Sequence, residues 1–102
     1  MRIIKESFLD QAAQRFPKAA GYLNMWRRVG RAAEWSSLQD IRSTYPMTDA
    51  VKVKSGRTVY VFNVCGNTYR LIVAIHFNRQ IAYMLRFLTH AEYSKSKWKD
   101  EL

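Results

Sequence analysis

Thr58-Val59-Tyr60-Val61-Phe62-Asn63-Val64-Cys65, Gly66-Asn67-Thr68, Tyr69-Arg70-Leu71-Ile72-Val73-Ala74-Ile75-His76-Phe77: two runs rich in β-branched and aromatic residues meet at a Gly-Asn joint. Such runs bounded by turn residues read as strands. A Gly-Asn joint suits a tight hairpin. A third run, Ile81–Leu88, follows across Asn78-Arg79, which suits a second hairpin. Three antiparallel strands are therefore expected, over Thr58–Cys65, Tyr69–Phe77 and Ile81–Leu88. The shorter Val51–Val53 is expected to add an edge strand ahead of Ser55-Gly56.

Upstream of this block the period changes. Phe8, Leu9, Ala12, Ala13 and Phe16 lie at helical spacing and predict a first short helix, ended by Pro17. Proline is also tolerated in the first turn of a following helix. Tyr22, Trp26, Val29 and Ala33 recur at helical intervals and predict a second helix, whose other side carries Arg27, Arg28 and Arg31. Those arginines fit either a solvated helix face or a contact with nucleic acid or an acidic partner. Ser36-Ser37-Leu38-Gln39-Asp40 opens a third short helix with a serine as N-cap, and Tyr45-Pro46 closes it. Ala91 to Lys97 is expected to be helical, with a frayed Lys-rich tail beyond. The order predicts a single α+β domain over residues 1–102: N-terminal helices packed on a three- to four-stranded antiparallel sheet, with a short C-terminal helix.

Charge is distributed unevenly along this frame. The net charge is +9, and from Ala50 to Ala91 there is no Asp or Glu at all. Lys52, Lys54, Arg57, Arg70, Arg79 and Arg86 fill that stretch. One-sided charge of this kind suits a polyanion, most simply a nucleic acid backbone. It also leaves that stretch without a carboxylate for base catalysis or Mg²⁺ binding. The single cysteine, Cys65, excludes an intrachain disulfide, and its place at the end of an apolar run predicts a buried, inert thiol. Two distant histidines and one cysteine argue against a zinc site, so no metal or cofactor is expected. Met1–Asp10 holds no apolar core of a leader, and no apolar run approaches the roughly 20 residues of a membrane span. A cytoplasmic protein is expected.

Leu88-Thr89-His90-Ala91-Glu92-Tyr93 is the densest chemical candidate. Thr89 and Glu92 have capping-box spacing, which puts His90 at the first position of a helix. Backbone N–H groups gather there and favour phosphate, and a histidine, with an unperturbed pKa of roughly 6.5, can give or take a proton. Tyr93 occupies a hydrophobic-staple position opposite Leu88, so it either packs or offers its hydroxyl to the site. Arg70 opens an apolar strand, and its guanidinium fork can clamp a phosphate; an edge arginine without a role is the plainer alternative. His76 at a strand end reads as a solvated turn residue. Lys52, Lys54 and Arg57 fit backbone phosphate contacts. Arg86 falls on the same face as Arg70 or on the opposite one depending on a single residue of register.

Trp35, Asp40, Tyr45-Pro46 and Asp49, the block Val61-Phe62-Asn63-Val64-x-Gly66-Asn67-x-Tyr69-Arg70-Leu71-Ile72-Val73, and Thr89-His90-Ala91-Glu92-Tyr93 together resemble HigB-type toxins of the RelE/ParE superfamily. The resemblance runs from about Ile3 to Lys95. It implies a RelE-like fold and a metal-independent mRNA endonuclease of a type II toxin–antitoxin system. Such an enzyme acts on ribosome-bound message, inhibits translation and is neutralised by a helix-turn-helix antitoxin of HigA type. By the resemblance, Arg70 contacts the scissile phosphate and His90 is the acid/base histidine; beside them Tyr93 is expected to orient the histidine or the phosphate, and Lys52, Lys54, Arg57 and Arg86 to hold RNA backbone. The chain departs from the family at one point. The arginine that lies five residues before the histidine is here Leu85, and Arg86 lies four before. Either the strand carries a bulge or Arg86 does not share that role. A gyrase-poisoning ParE-type toxin and a non-catalytic basic nucleic-acid-binding module are the alternatives.

Overall fold

The computed structural model describes residues 1–102. Helix α1 (Ser7–Arg15) turns Leu9 and Ala12 inward and stops where Pro17 removes the next backbone donor. One 3₁₀ turn, Pro17–Ala19, leads into α2 (Ala20–Ala32). The fully buried stripe of α2 is Leu23, Trp26 and Gly30, one residue round from the expected stripe, with Tyr22, Val29 and Ala33 packed on its flank. A Cβ at Gly30 would lie 3.3 Å from Ile3 Cδ1, so glycine here permits close approach of α2 to the first strand. The basic side of α2 is tied back to α1. Arg27 pairs with Asp10 at 2.6 Å, and Arg31 pairs with Glu6. Only Arg28 of the three arginines has no acidic neighbour. Helix α3 (Leu38–Thr44) has Ser37 as N-cap, accepting from Asp40 N–H. The Asp40 carboxylate in turn accepts from the Ser36 hydroxyl and N–H, which holds it below the usual carboxylate range.

The sheet has five strands: β1 (Arg2–Ile4), β2 (Asp49–Lys52), β3 (Thr58–Val64), β4 (Tyr69–His76) and β5 (Ile81–Thr89), in the order β1-β5-β4-β3-β2. The α+β class and the antiparallel meander are as expected. The sheet is mixed, however, because β1 runs parallel to β5, pairing Ile3 with Ala82. Three residues are too short to show alternation, so β1 had no readable pattern in the sequence. Its partner, supplied from the other end of the chain, makes it a strand.

The connections differ from the expected two-residue hairpins. Cys65–Thr68 form a four-residue turn in which Cys65 (φ 52°) and Gly66 (φ 68°) are both left-handed. The strand therefore ends at Val64. Cys65 is exposed, its thiol 3.5 Å from the Lys18 carbonyl oxygen; the expectation of a buried thiol is overturned because the chain turns at the cysteine itself. Phe77–Arg79 make a 3₁₀ turn closed by Gln80 at φ 55°. The Gln80 amide donates to the Trp35 and Phe77 carbonyls, which anchors this non-glycine residue in its left-handed conformation.

The two faces of the sheet are unequal. Residues 69, 71, 73 and 75 of β4 face the helices, where 17 buried residues form the main core around Trp26, Trp35, Phe62 and Phe87. Trp26 meets Phe62 edge-on at 5.3 Å. The other face carries Val59, Val61 and Ile72, joined by Val53 and Trp98. Trp98 corrects the expectation of a frayed tail. The C-terminal segment is two short helices, α4 (His90–Ser94) and α5 (Lys97–Glu101), separated by Ser96 at φ 60°. Helix α5 folds back to bury Trp98, and Lys54 N–H donates to the Lys99 carbonyl.

Candidate functional site

At the end of the sheet where β4 begins and β5 runs into α4, the thinly covered face holds Arg70, His90 and Tyr93 together. Arg70 pairs across the sheet with Asn63 on one side and Leu88 on the other. Alternation puts its side chain on the Ile72 face, away from the helices. Its neighbours are set by local backbone. The turn Cys65–Thr68 and the start of α4 are stitched by His90 N–H donating to the Thr68 carbonyl at 3.0 Å. The capping box forms as expected: Thr89 Oγ1 accepts from Glu92 N–H, and Glu92 Oε1 accepts from Thr89 N–H. This contact holds the Glu92 carboxyl below its ordinary range.

Arg70 is only 7% exposed. It donates to the Asn67 carbonyl (3.1 Å), the Tyr69 carbonyl (3.0 Å) and Asn67 Oδ1 (2.5 Å). Its Nη2 lies 3.5 Å from His90 Nδ1, and its guanidinium carbon lies 5.2 Å from the centre of the Tyr93 ring. A guanidinium only donates, so this contact is a hydrogen bond only while Nδ1 is unprotonated, and Nε2 is the ring nitrogen left for a substrate. Tyr93 stacks on Trp98, with ring centres 5.3 Å apart and planes inclined by 18°. Trp98 Nε1–H donates to the Tyr93 carbonyl. The result is a column, Arg70 on Tyr93 on Trp98, with His90 exposed beside it. Burial raises the Tyr93 hydroxyl pKa, as does the Asp49 charge, with Arg70 opposing. That hydroxyl is a proton donor, not a base, near neutral pH.

No carboxylate pairs with Arg70. A cation taken out of water against neutral acceptors alone carries a desolvation penalty that ion pairing does not offset. An anion is the group that would complete this set.

The other sequence candidates are placed apart. Lys52 pairs with Thr58, whereas Arg70 pairs with Asn63. Five residues of strand separate the two points, ~17 Å at roughly 3.4 Å per residue. Lys52, Lys54 and Arg57 are exposed at that far end, in and beside the β2–β3 loop. The register of Arg86 is now fixed. Ile72 pairs with Arg86 and Val73 with Met84, so Leu85 is the extra residue of a bulge. The bulge puts Arg86 on the face of Arg70. Its side chain turns aside, 3.7 Å from Glu101 and donating to the Leu85 carbonyl. His76 is an exposed turn-side residue against Tyr83, as expected.

Two contributors went unassigned in the sequence. Asn67 was visible as a turn residue three positions before Arg70, a spacing that allows its side chain to reach back. Trp98 was visible as a tryptophan in a charged tail, a residue type that seldom stays exposed. No group of three or more His, Cys, Asp or Glu side chains is placed to hold a metal ion, and no helix is long and apolar enough to cross a membrane.

A small α+β domain whose strand arginine meets a histidine at the start of a C-terminal helix has the plan expected of a RelE-like toxin. Sequence comparison is specific. The family described as HigB_toxin, RelE-like toxic component of a toxin-antitoxin system, matches residues 19–96. An mRNA interferase HigB of Escherichia coli O6:H1 is 30% identical over 95 residues, covering 93% of this chain and 90% of its own length. The mRNA interferase toxin HigB of Escherichia coli K12 is 27% identical over 93 residues, covering 91% of this chain and 88% of its own. The chain belongs to the HigB family of RelE-like toxins. Membership makes it the toxic component of a toxin–antitoxin pair, with an antitoxin as its partner.

Proposed function

We propose that this chain is a metal-independent mRNA endonuclease in which the RNA supplies its own nucleophile. The observation that carries the reading is the buried, carboxylate-free guanidinium of Arg70 beside His90. A scissile phosphate in front of Arg70 supplies the missing anion, and the fork stabilises charge that gathers on phosphorus. The 2′-oxygen bonds to phosphorus as the bond to the 5′-oxygen breaks. The 2′-hydroxyl proton passes to solvent, and His90 delivers one to the departing 5′-oxygen. Tyr93 holds the guanidinium from below and donates its hydroxyl to the phosphate or the histidine. This half of the chain has no carboxylate from Ala50 to Ala91, and the reaction requires none.

The related proteins named mRNA interferase support message as the substrate. Action on ribosome-bound message in the cytoplasm, Lys52, Lys54, Arg57 and Arg86 as RNA backbone contacts, and a helix-turn-helix antitoxin of HigA type complete the reading. At the far end of the β2–β3 hairpin from Arg70, Lys52, Lys54 and Arg57 would hold a flanking stretch of RNA, and Arg86 would have to swing from Glu101 to join them.

The test is the chemistry of the cut ends on translated message, with and without EDTA, for the parent and for His90→Ala. The parent should leave 2′,3′-cyclic or 3′-phosphate and 5′-hydroxyl ends in EDTA. His90→Ala should lose ~10²–10⁴-fold in rate, the usual worth of a positioned acid–base group. Ends carrying 5′-phosphate that vanish with EDTA overturn the mechanism, and a fully toxic His90→Ala overturns the nuclease reading itself.

A further inference from the structure

Beside the Arg70 site lies a cleft of about 450 Å³, lined by Tyr22, Tyr45, Met47, Thr48, Asn63 and Asn67 among others, none of them charged. It exists because β2 starts late. The β2–β3 pairing ends at Asp49 with Val61, so residues 62–64 of β3 have no strand on their outer side. Tyr45 and Pro46, which end α3, and the exposed Met47 stand across the gap.

Two residues join the cleft to the candidate site. Asn67 lines it, and the same side chain accepts from Arg70 through Oδ1, which leaves both its amide hydrogens without a protein partner. Asn63 lines it too, is the cross-strand partner of Arg70, and makes no side-chain hydrogen bond within the protein. An uncharged slot does not suit a second phosphate or the charged end of a peptide. Aromatic walls with free carboxamides suit the flat faces and polar edges of a nucleobase, the way single-stranded RNA is read elsewhere. Its volume falls in the roughly 300–1,000 Å³ range of small-ligand pockets.

We infer that this cleft is the base-reading site of the toxin. It takes the nucleobase adjoining the phosphate held by Arg70, with the Asn63 and Asn67 amides on its edge and Met47 over its face. The inference rests on the RNA-cleaving reading above and adds where base preference comes from. Burial raises the pKa values of Tyr22 and Tyr45, so their hydroxyls remain uncharged and the slot stays neutral at physiological pH.

The test is a panel of messages, translated by ribosomes, that differ in one base at each nucleotide flanking a single cleavage site. The readout is the ratio of cleavage rates between bases, for the parent, Asn63→Ala and Met47→Ala, beside the melting temperature of each. The parent should prefer one base at one flanking position by about tenfold, the scale of one good amide-to-base pair. Asn63→Ala should bring that ratio close to one. Met47→Ala, altered at a side chain 69% exposed, should lower it without risk to folding. If the parent cuts without preference at the flanking positions, the cleft does not read a base. The same holds if both variants keep the parent's ratio. Either result leaves the nuclease reading standing so long as His90→Ala still abolishes cleavage. A parent that cuts none of the messages overturns both.

Discussion

The two faces of one sheet, alternating residue by residue along β4, have been put to opposite uses. Tyr69, Leu71, Val73 and Ile75 point into a 17-residue core under three helices. Arg70, Ile72, Ala74 and His76 point the other way, where the buried cluster numbers five residues and the only helices are α4 and α5, of five residues each. The deep face is built almost wholly of apolar side chains, whereas the shallow face buries one cation against Tyr93 and still leaves His90 beside it in water. Stability and chemistry are thus divided by a period of two. A substitution on the deep face should change melting and not the reaction. One on the shallow end should do the reverse.

Trp26 and Arg70 give the largest contrast. Trp26 is fully buried, so Trp26→Ala should cost about 3–5 kcal/mol of stability. Cleavage per folded molecule should stay near the parent's. Arg70→Lys keeps the charge but loses the planar fork, and the rate should fall sharply with little change in melting. Arg70→Met goes further. Because the cation has no carboxylate partner, an apolar replacement of similar length should leave stability unchanged or raise it while activity disappears. Chemical denaturation beside a cleavage assay separates these outcomes. If Arg70→Met unfolds the protein, or Arg70→Lys cuts at the parent's rate, the arginine belongs to the scaffold.

A smaller effect should come from Trp98, where the division between the faces is least clean. The ring is buried and supports Tyr93, which supports Arg70. Trp98→Phe retains a stacking surface and should keep most of the activity. Trp98→Ala should loosen both helices of the tail and lower the melting temperature by several degrees. It should also lower kcat more than it raises KM, since the clamp and not the RNA-binding surface is disturbed. Equal activity in Trp98→Ala and the parent, per folded molecule, would separate the tail from the site.

The deep face was the legible one. Helical spacing in Phe8–Phe16, the proline stop at Pro17 and the β-branched runs of β3 to β5 are local patterns, and each produced its element. Arg70, His90 and Tyr93 were legible as candidates because their residue types stand out against their surroundings, and the capping box located His90 from four residues. What escaped depended on partners distant in sequence. Strand β1 exists only through β5, and Trp98 is buried only because α5 folds back onto the sheet. The bulge at Leu85 shows no local mark, yet it alone decides which face Arg86 occupies. Cys65 misled because its neighbours are apolar, while its own left-handed φ takes it out of the strand.

Tyr93 offers the finest division, within a single side chain. Its ring packs between Arg70 and Trp98, and its hydroxyl is the only part that can serve the reaction. Tyr93→Ala removes both and should lower melting and activity together. Tyr93→Phe removes the hydroxyl alone, so the fold should hold and the rate should fall by a modest factor, well short of the loss in His90→Ala. The pH dependence sharpens the assignment. Burial lifts the hydroxyl's pKa above the ordinary tyrosine value of about 10. It therefore stays protonated from neutral pH to at least that value, and the ratio of parent to Tyr93→Phe rates should be flat across the interval. A ratio that changes as pH rises from 7 to ~9 would mean the hydroxyl ionises within the working range and acts as a base. A ratio of one throughout would make Tyr93 a packing residue, and the chemistry would then rest on Arg70 and His90 alone.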